Sequence, residues 1–168
     1  MRFIKLAILS FVLLFLVVTV ISLFIPGNIS ISRAMNIAAD DSSTFNLISN
    51  LEDWKLWHPA LKDLPESEID ASTDSILVKN TIIKVVKRKE DELLTEMSVI
   101  GGRPIDNGFK LIRHEQRDSS TIQTFMNFHL HWYPWEKFRS LFYENIYGTQ
   151  MEQGLANLRQ LNRDATRQ

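Results

Sequence analysis

The stretch Thr121-Ile122-Gln123-Thr124-Phe125-Met126-Asn127-Phe128-His129-Leu130-His131-Trp132, followed by a proline-free run from Trp135 to about Arg163, decides the fold. Side chains on a strand alternate between two faces, so Ile122, Thr124, Met126, Phe128, Leu130 and Trp132 share one side, and Thr121, Gln123, Asn127, His129 and His131 lie on the other. The even-numbered face is the apolar one and should point inward. In the run that follows, Phe138, Leu141, Phe142, Met151, Leu155, Leu158 and Leu161 recur at helical spacing, which predicts one long amphipathic helix with bends or close approaches at Gly148 and Gly154.

Working back from this pair, Leu93 to Ile100 reads as a strand closed by a Gly101-Gly102 turn. Another runs from Phe109 to Glu115, opened by Asp106-Asn107-Gly108, and Arg117-Asp118-Ser119-Ser120 forms the next turn. Ile76 to Arg88 is dense in β-branched residues and begins the meander. Lys62 to Asp74 is a Pro-, Ser- and acid-rich loop with one weak strand. Two short helices precede it, one at Thr44 to Ile48 after N-cap candidates Asp40-Asp41-Ser42-Ser43. The other holds Trp54 and Trp57 on one side and is ended by Pro59. Ile29 to Ile37 alternates with a period of two and forms the first strand.

At the N-terminal side, Leu6 to Ile25 is an uncharged run of about twenty residues, the length needed to cross a bilayer core. Arg2 and Lys5 precede it and Pro26-Gly27 closes it, so the positive-inside tendency places the N-terminus in the cytoplasm and the rest outside, periplasmic in a Gram-negative cell. A cleaved signal peptide is the alternative, but its apolar core is usually only about 7–15 residues, and Leu23-Phe24-Ile25-Pro26 is a poor cleavage site. The chain therefore divides into a membrane anchor, 1–27, and one soluble domain, 28–168.

Removing Arg2 and Lys5 from the 19 basic residues leaves 17 against 20 acidic, with no basic footprint for nucleic acid. The chain has no cysteine, which excludes disulfides, thiolate metal sites and cysteine nucleophiles. No nucleophile elbow, phosphate-cradling loop or zinc-protease helix occurs, and no cofactor is expected.

The order of elements, read with specific residues, resembles the START-like superfamily, also called SRPBCC or polyketide cyclase/dehydrase. The carriers are the first strand running into Ala38-Ala39, then Phe45-Asn46-Leu47-Ile48-Ser49-Asn50 and Trp54-Lys55-Leu56-Trp57-His58-Pro59. A second match runs from His131-Trp132-Tyr133-Pro134-Trp135-Glu136-Lys137-Phe138 to Gly154-Leu155-Ala156-Asn157-Leu158. The resemblance covers nearly all of Ile29 to Asn162 and implies an α+β helix-grip fold, a curled antiparallel sheet around a long C-terminal helix. The N-terminal anchor and the loop after Pro59 depart from the family pattern.

A sheet closed by one helix tends to leave an apolar pocket. Parity and the resemblance nominate Trp54, Trp57, Met97, Phe109, Met126, Phe128, Leu130, Phe142 and Met151 as its walls, with Leu93, Thr95 and Val99 on the same face as Met97 and methionines supplying adaptable surface. A filled core would use the same side chains. The expected function is a membrane-held binding or carrier domain for a hydrophobic or amphipathic molecule, such as a lipid. A cyclase- or hydrolase-type enzyme and a protein-interaction module are the alternatives.

Other chemical candidates have bland explanations that fit better. His129 and His131 share a strand face and could hold a metal with His114 or Glu115, but they lie on the polar side, and no metal site is expected. His58 is read as a capping or exposed histidine, because no carboxylate can be placed beside it. Asp40-Asp41 and Glu66-Ser67-Glu68 suit a cap and a loop. Asn28-Ile29-Ser30 fits a short glycosylation pattern, and Arg159, Arg163 and Arg167 a solvated helix end.

Overall fold

The computed structural model describes residues 2–38, 42–100, 102–114 and 119–166. Ala39, Asp40-Asp41, Gly101, Glu115, Arg117, Asp118 and Arg167, named above, lie outside the described residues.

Helix α1 (Arg2–Leu23) projects from the domain with almost none of its apolar surface covered by protein, and it is long and apolar enough to cross a membrane. Strand β1 (Asn28–Ala38) follows, then α2 (Ser42–Ser49), a 3-10 turn (Leu51–Asp53) and α3 (Trp54–Trp57). Strands β2 (Ile69–Ala71), β3 (Ser75–Val78), β4 (Thr81–Arg88), β5 (Glu92–Val99), β6 (Ile105–Arg113) and β7 (Ser119–His129) run as a meander. The chain returns through α4 (Pro134–Ser140), a π-helical turn (Glu144–Gly148) and α5 (Thr149–Thr166).

All seven strands join one antiparallel sheet in the order β1-β7-β6-β5-β4-β3-β2. Along β7 the inward side chains Ser120, Ile122, Thr124, Met126 and Phe128 are buried and their neighbours only partly so, which fixes the register that parity predicted. The main core packs Ile48, Leu51, Trp54, Trp57, Leu93, Phe109, Ile122, Leu155 and Leu158 between the sheet, the short helices and α5. The architecture is the α+β helix-grip fold, a curled antiparallel sheet closed by the C-terminal helix.

The β-branched run from Ile76 to Arg88 forms two strands of the meander, because Lys79 takes up a left-handed conformation (φ 52°) and turns the chain without glycine. Three local expectations need correction. Asp106-Asn107-Gly108 lies inside β6 rather than opening it. Gly108 is needed there because a β-carbon would collide with the Phe125 ring and Leu94 on the outer face.

The closing helix is interrupted. It breaks after Ser140 and restarts through the π turn, so the helical spacing that joined Leu141 and Phe142 to Met151 does not hold, and both side chains are exposed, at 60% and 61%. Last, β7 ends at His129, and Trp132 is 61% exposed instead of inward, because strand parity stops with the strand.

Candidate functional site

The sheet and α5 enclose a cavity of about 200 Å³. Met97 from β5, Asn107 and Phe109 from β6, and Thr124 and Met126 from β7 form its floor. Ile76, Val78, Thr81 and Ile83 form the wall toward β3 and β4, while Tyr147, Gln150, Met151, Gly154 and Leu155 cover it. Trp57 and the following residues His58 to Leu61 close the remaining end. An engineered dry cavity of about 150 Å³ accommodates benzene, so this one suits a single ring or a short chain rather than a whole two-chain lipid.

The tryptophan pair sets the cavity's end wall. Trp54 Nε1 donates to the Ile48 carbonyl (2.8 Å) and Trp57 Nε1 to that of Leu47 (3.3 Å), which removes the cost of burying both indole donors. Phe109 meets the two rings edge-on at 5.6 and 5.8 Å. The Asn157 amide donates to the Trp57 carbonyl (2.8 Å), fastening α5 to the end of α3.

His58 is the C-cap of α3 and half-buried, so of its two expected readings the capping one holds and the exposed one does not. It lines the cavity, its ring stacks on Trp54 at 5.3 Å, and Nδ1 accepts from the Ala60 N–H (3.3 Å). An accepting Nδ1 places the proton of the neutral ring on Nε2. Burial pushes its pKa down to about 4, so it is uncharged at neutral pH. The Tyr147 phenol is shifted upward, chiefly by burial.

Of the nominated residues, Trp57, Met97, Phe109, Met126 and Met151 line this cavity. Trp54 is buried behind Trp57 in the core. Phe128 and Leu130 instead border a more open groove of about 510 Å³ beside α4, with Ile105, Trp135 and Tyr143. Phe142 borders neither, because the helix break turns it to solvent. Sequence reasoning passed over Asn107 as a turn residue and left Tyr147 and Gln150 unassigned. The two-residue spacing from Asn107 to Phe109 and Leu111, all buried, is the signal that places Asn107 inside.

His129 and His131 do not converge. His129 Nε2 lies 3.2 Å from Asp106 and Nδ1 3.1 Å from Asn28, whereas His131 Nδ1 lies 2.9 Å from Glu136.

No family model matches the chain, and no curated protein matches it. Solved structures do. A protein of unknown function, SA2116, from Staphylococcus aureus aligns with a TM-score of 0.58 at 8% identity, over 84% of this chain and 98% of that one. A Nitrosospira multiformis protein gives 0.57 at 13% identity, over 77% and 93%. CalU16 from Micromonospora echinospora gives 0.54 at 11%, over 77% and 71%. At these identities the likeness is one of architecture and shows the fold alone, an antiparallel sheet closed by a C-terminal helix.

Proposed function

We propose that the domain is a membrane-held binding or carrier module that takes a small hydrophobic or amphipathic molecule between its sheet and α5. The observation that carries this reading is the cavity of about 200 Å³, walled by Trp57, Phe109 and three methionines. A filled interaction module would leave no such space. An enzyme would need a polar constellation around His58, but the ring bonds only to the Ala60 N–H and stacks on aromatic rings, with no carboxylate against it among the described residues.

Membrane attachment through residues 6–25 is supported by the length of α1 and by its uncovered apolar surface, and a cytoplasmic N-terminus by Arg2 and Lys5 before the run. Trp132, Trp135 and Phe24 are exposed near its end, a composition suited to the interfacial zone of a bilayer.

Native mass spectrometry of the full chain, released from detergent micelles, tests the binding reading. A co-purifying small molecule that is lost in Met151→Phe, which fills the cavity, is the expected result. An empty chain in both forms, after expression in its own cells, would overturn it. A C-terminal reporter active only in the cytoplasm would reverse the proposed orientation.

A further inference from the structure

The cavity is mostly apolar, with polar side chains from His58, Thr81, Asn107, Thr124, Tyr147 and Gln150 along its lining. Asn107 is 8% exposed and Thr124 3%, and both face the cavity. Among the described residues neither the Asn107 amide nor the Thr124 hydroxyl makes a side-chain hydrogen bond, and the one bond at this place, Thr95 Oγ1 to the Asn107 carbonyl (3.3 Å), uses backbone. In the β6–β7 register Asn107 pairs with Met126 and Phe109 with Thr124, so Asn107 and Thr124 are diagonal neighbours on one face, close enough to serve one ligand. No fully buried side-chain polar atom among the described residues lacks a partner, so the Asn107 amide and the Thr124 hydroxyl keep surface open to the cavity; a ligand that displaces water from them loses affinity unless it reproduces those hydrogen bonds.

The charge of that ligand follows from the lining. No Lys, Arg, Asp or Glu borders the cavity, and His58 is uncharged at neutral pH with an Nε2–H to donate. A carboxylate, phosphate or ammonium inside would be desolvated with no counter-ion, which is far more costly than burying a neutral polar group that finds hydrogen bonds. Asn and Thr can each both donate and accept, which matches a carbonyl or a hydroxyl equally well.

Resting on the binding reading above, we propose that Asn107 and Thr124 form a polar subsite selecting a neutral, ring-sized ligand that carries a carbonyl or hydroxyl group, with the apolar remainder against Phe109, Met126 and Met151. Charged amphiphiles such as fatty acids and phospholipids are rejected by the interior.

Three of the chain's five methionines, Met97, Met126 and Met151, line the cavity, and Met35 lies in the core outside its lining. Methyl-labelled methionine NMR of the full chain in lipid nanodiscs therefore reads occupancy at the site itself, apart from partitioning into the lipid. Titration with acetophenone, cumene and benzoate compares a neutral carbonyl, an apolar shape mimic and an anion.

The expected result is saturable shifts of the three cavity methyls, with acetophenone binding on the order of tenfold more tightly than cumene and benzoate not binding. In Asn107→Leu/Thr124→Val the preference reverses to cumene while the Met35 signal holds its place, and Thr124→Ser keeps the preference for acetophenone. Cumene binding as well as or better than acetophenone in the unaltered chain, or benzoate binding at all, overturns the subsite while leaving the cavity reading intact. Failure of every probe to move the three methyls overturns the cavity reading and the subsite with it.

Discussion

The guanidinium of Arg33 lies across Gly148 so closely that a β-carbon on the glycine would stand 2.5 Å from Nη2. Arg33 projects from β1 and bonds Glu144 at 2.7 Å and Glu152 at 2.6 Å, one carboxylate on each side of the glycine. Glu144, Gly148 and Glu152 are spaced by four, so the π turn and the first turn of α5 present acid, gap and acid in a line. The first strand is thereby fastened to the element that roofs the cavity.

Gly148→Ala should lower stability only slightly, by roughly 1 kcal/mol or less, because it displaces the flexible end of Arg33 from two exposed carboxylates. Thermal unfolding followed by circular dichroism measures it. The loss should be smaller when Arg33 is already alanine, and full additivity of the two changes would show that the contact is unimportant.

His58 makes stability depend on pH. Its folded pKa of about 4 lies below the ordinary 6.5, so the unfolded chain takes up a proton first as pH falls. The stabilising contribution is complete above about pH 6.5 and is lost progressively between there and about pH 4, amounting to something on the order of 3 kcal/mol. His58→Asn, which keeps an acceptor for the Ala60 N–H, should flatten that part of the profile in denaturant titrations. An unchanged slope would mean another group titrates there.

Gly108→Ala should weaken the sheet by about 2–3 kcal/mol, since the added carbon meets the Phe125 ring and the Leu94 side chain. Combining it with Phe125→Leu should recover part of the loss. Urea midpoints of the single and double variants decide the matter.

Lys137 is buried, 7% exposed, and its Nζ donates to the Ile25 carbonyl at 2.8 Å just beyond the end of α1. A cation there complements the negative end of the helix dipole. Lys137→Met keeps the apolar stem and removes the bond, so protease cleavage between residues 24 and 28 should quicken severalfold. Equal cleavage rates in both proteins would contradict that role.

The sheet was largely legible in the sequence because its strands alternate cleanly, and β7 keeps period two from Ser119 to His129. The interrupted final helix was not. Leu141 and Phe142 carry helical spacing, yet the helix breaks between Ser140 and Glu144, beside the π turn that Arg33 bonds from over a hundred residues away, a contact that local spacing does not reveal. The same limit applied to the cavity. Trp57, Met126 and Met151 follow from parity and apolar character, while Asn107 looked like a turn residue until its pairing with Thr95 and Met126 placed it on the inner face. The capping role of His58 is legible in the sequence but the cover on its ring is not, because that comes from Trp54, whose ring lies parallel to its own at 5°.

Only Pro26-Gly27 and two neighbours separate α1 from β1, and both sides of this joint are bonded, Ile25 to Lys137 and the Gly27 carbonyl to the Leu130 N–H at 2.7 Å. A flexible linker lets a tethered domain sample a volume set by linker length, and its effective concentration at the surface falls as the linker grows. A joint bonded on both sides restricts that sampling. With α1 in a bilayer, it would hold the domain near a set distance from the surface, in place of the cloud of positions a loose tether allows.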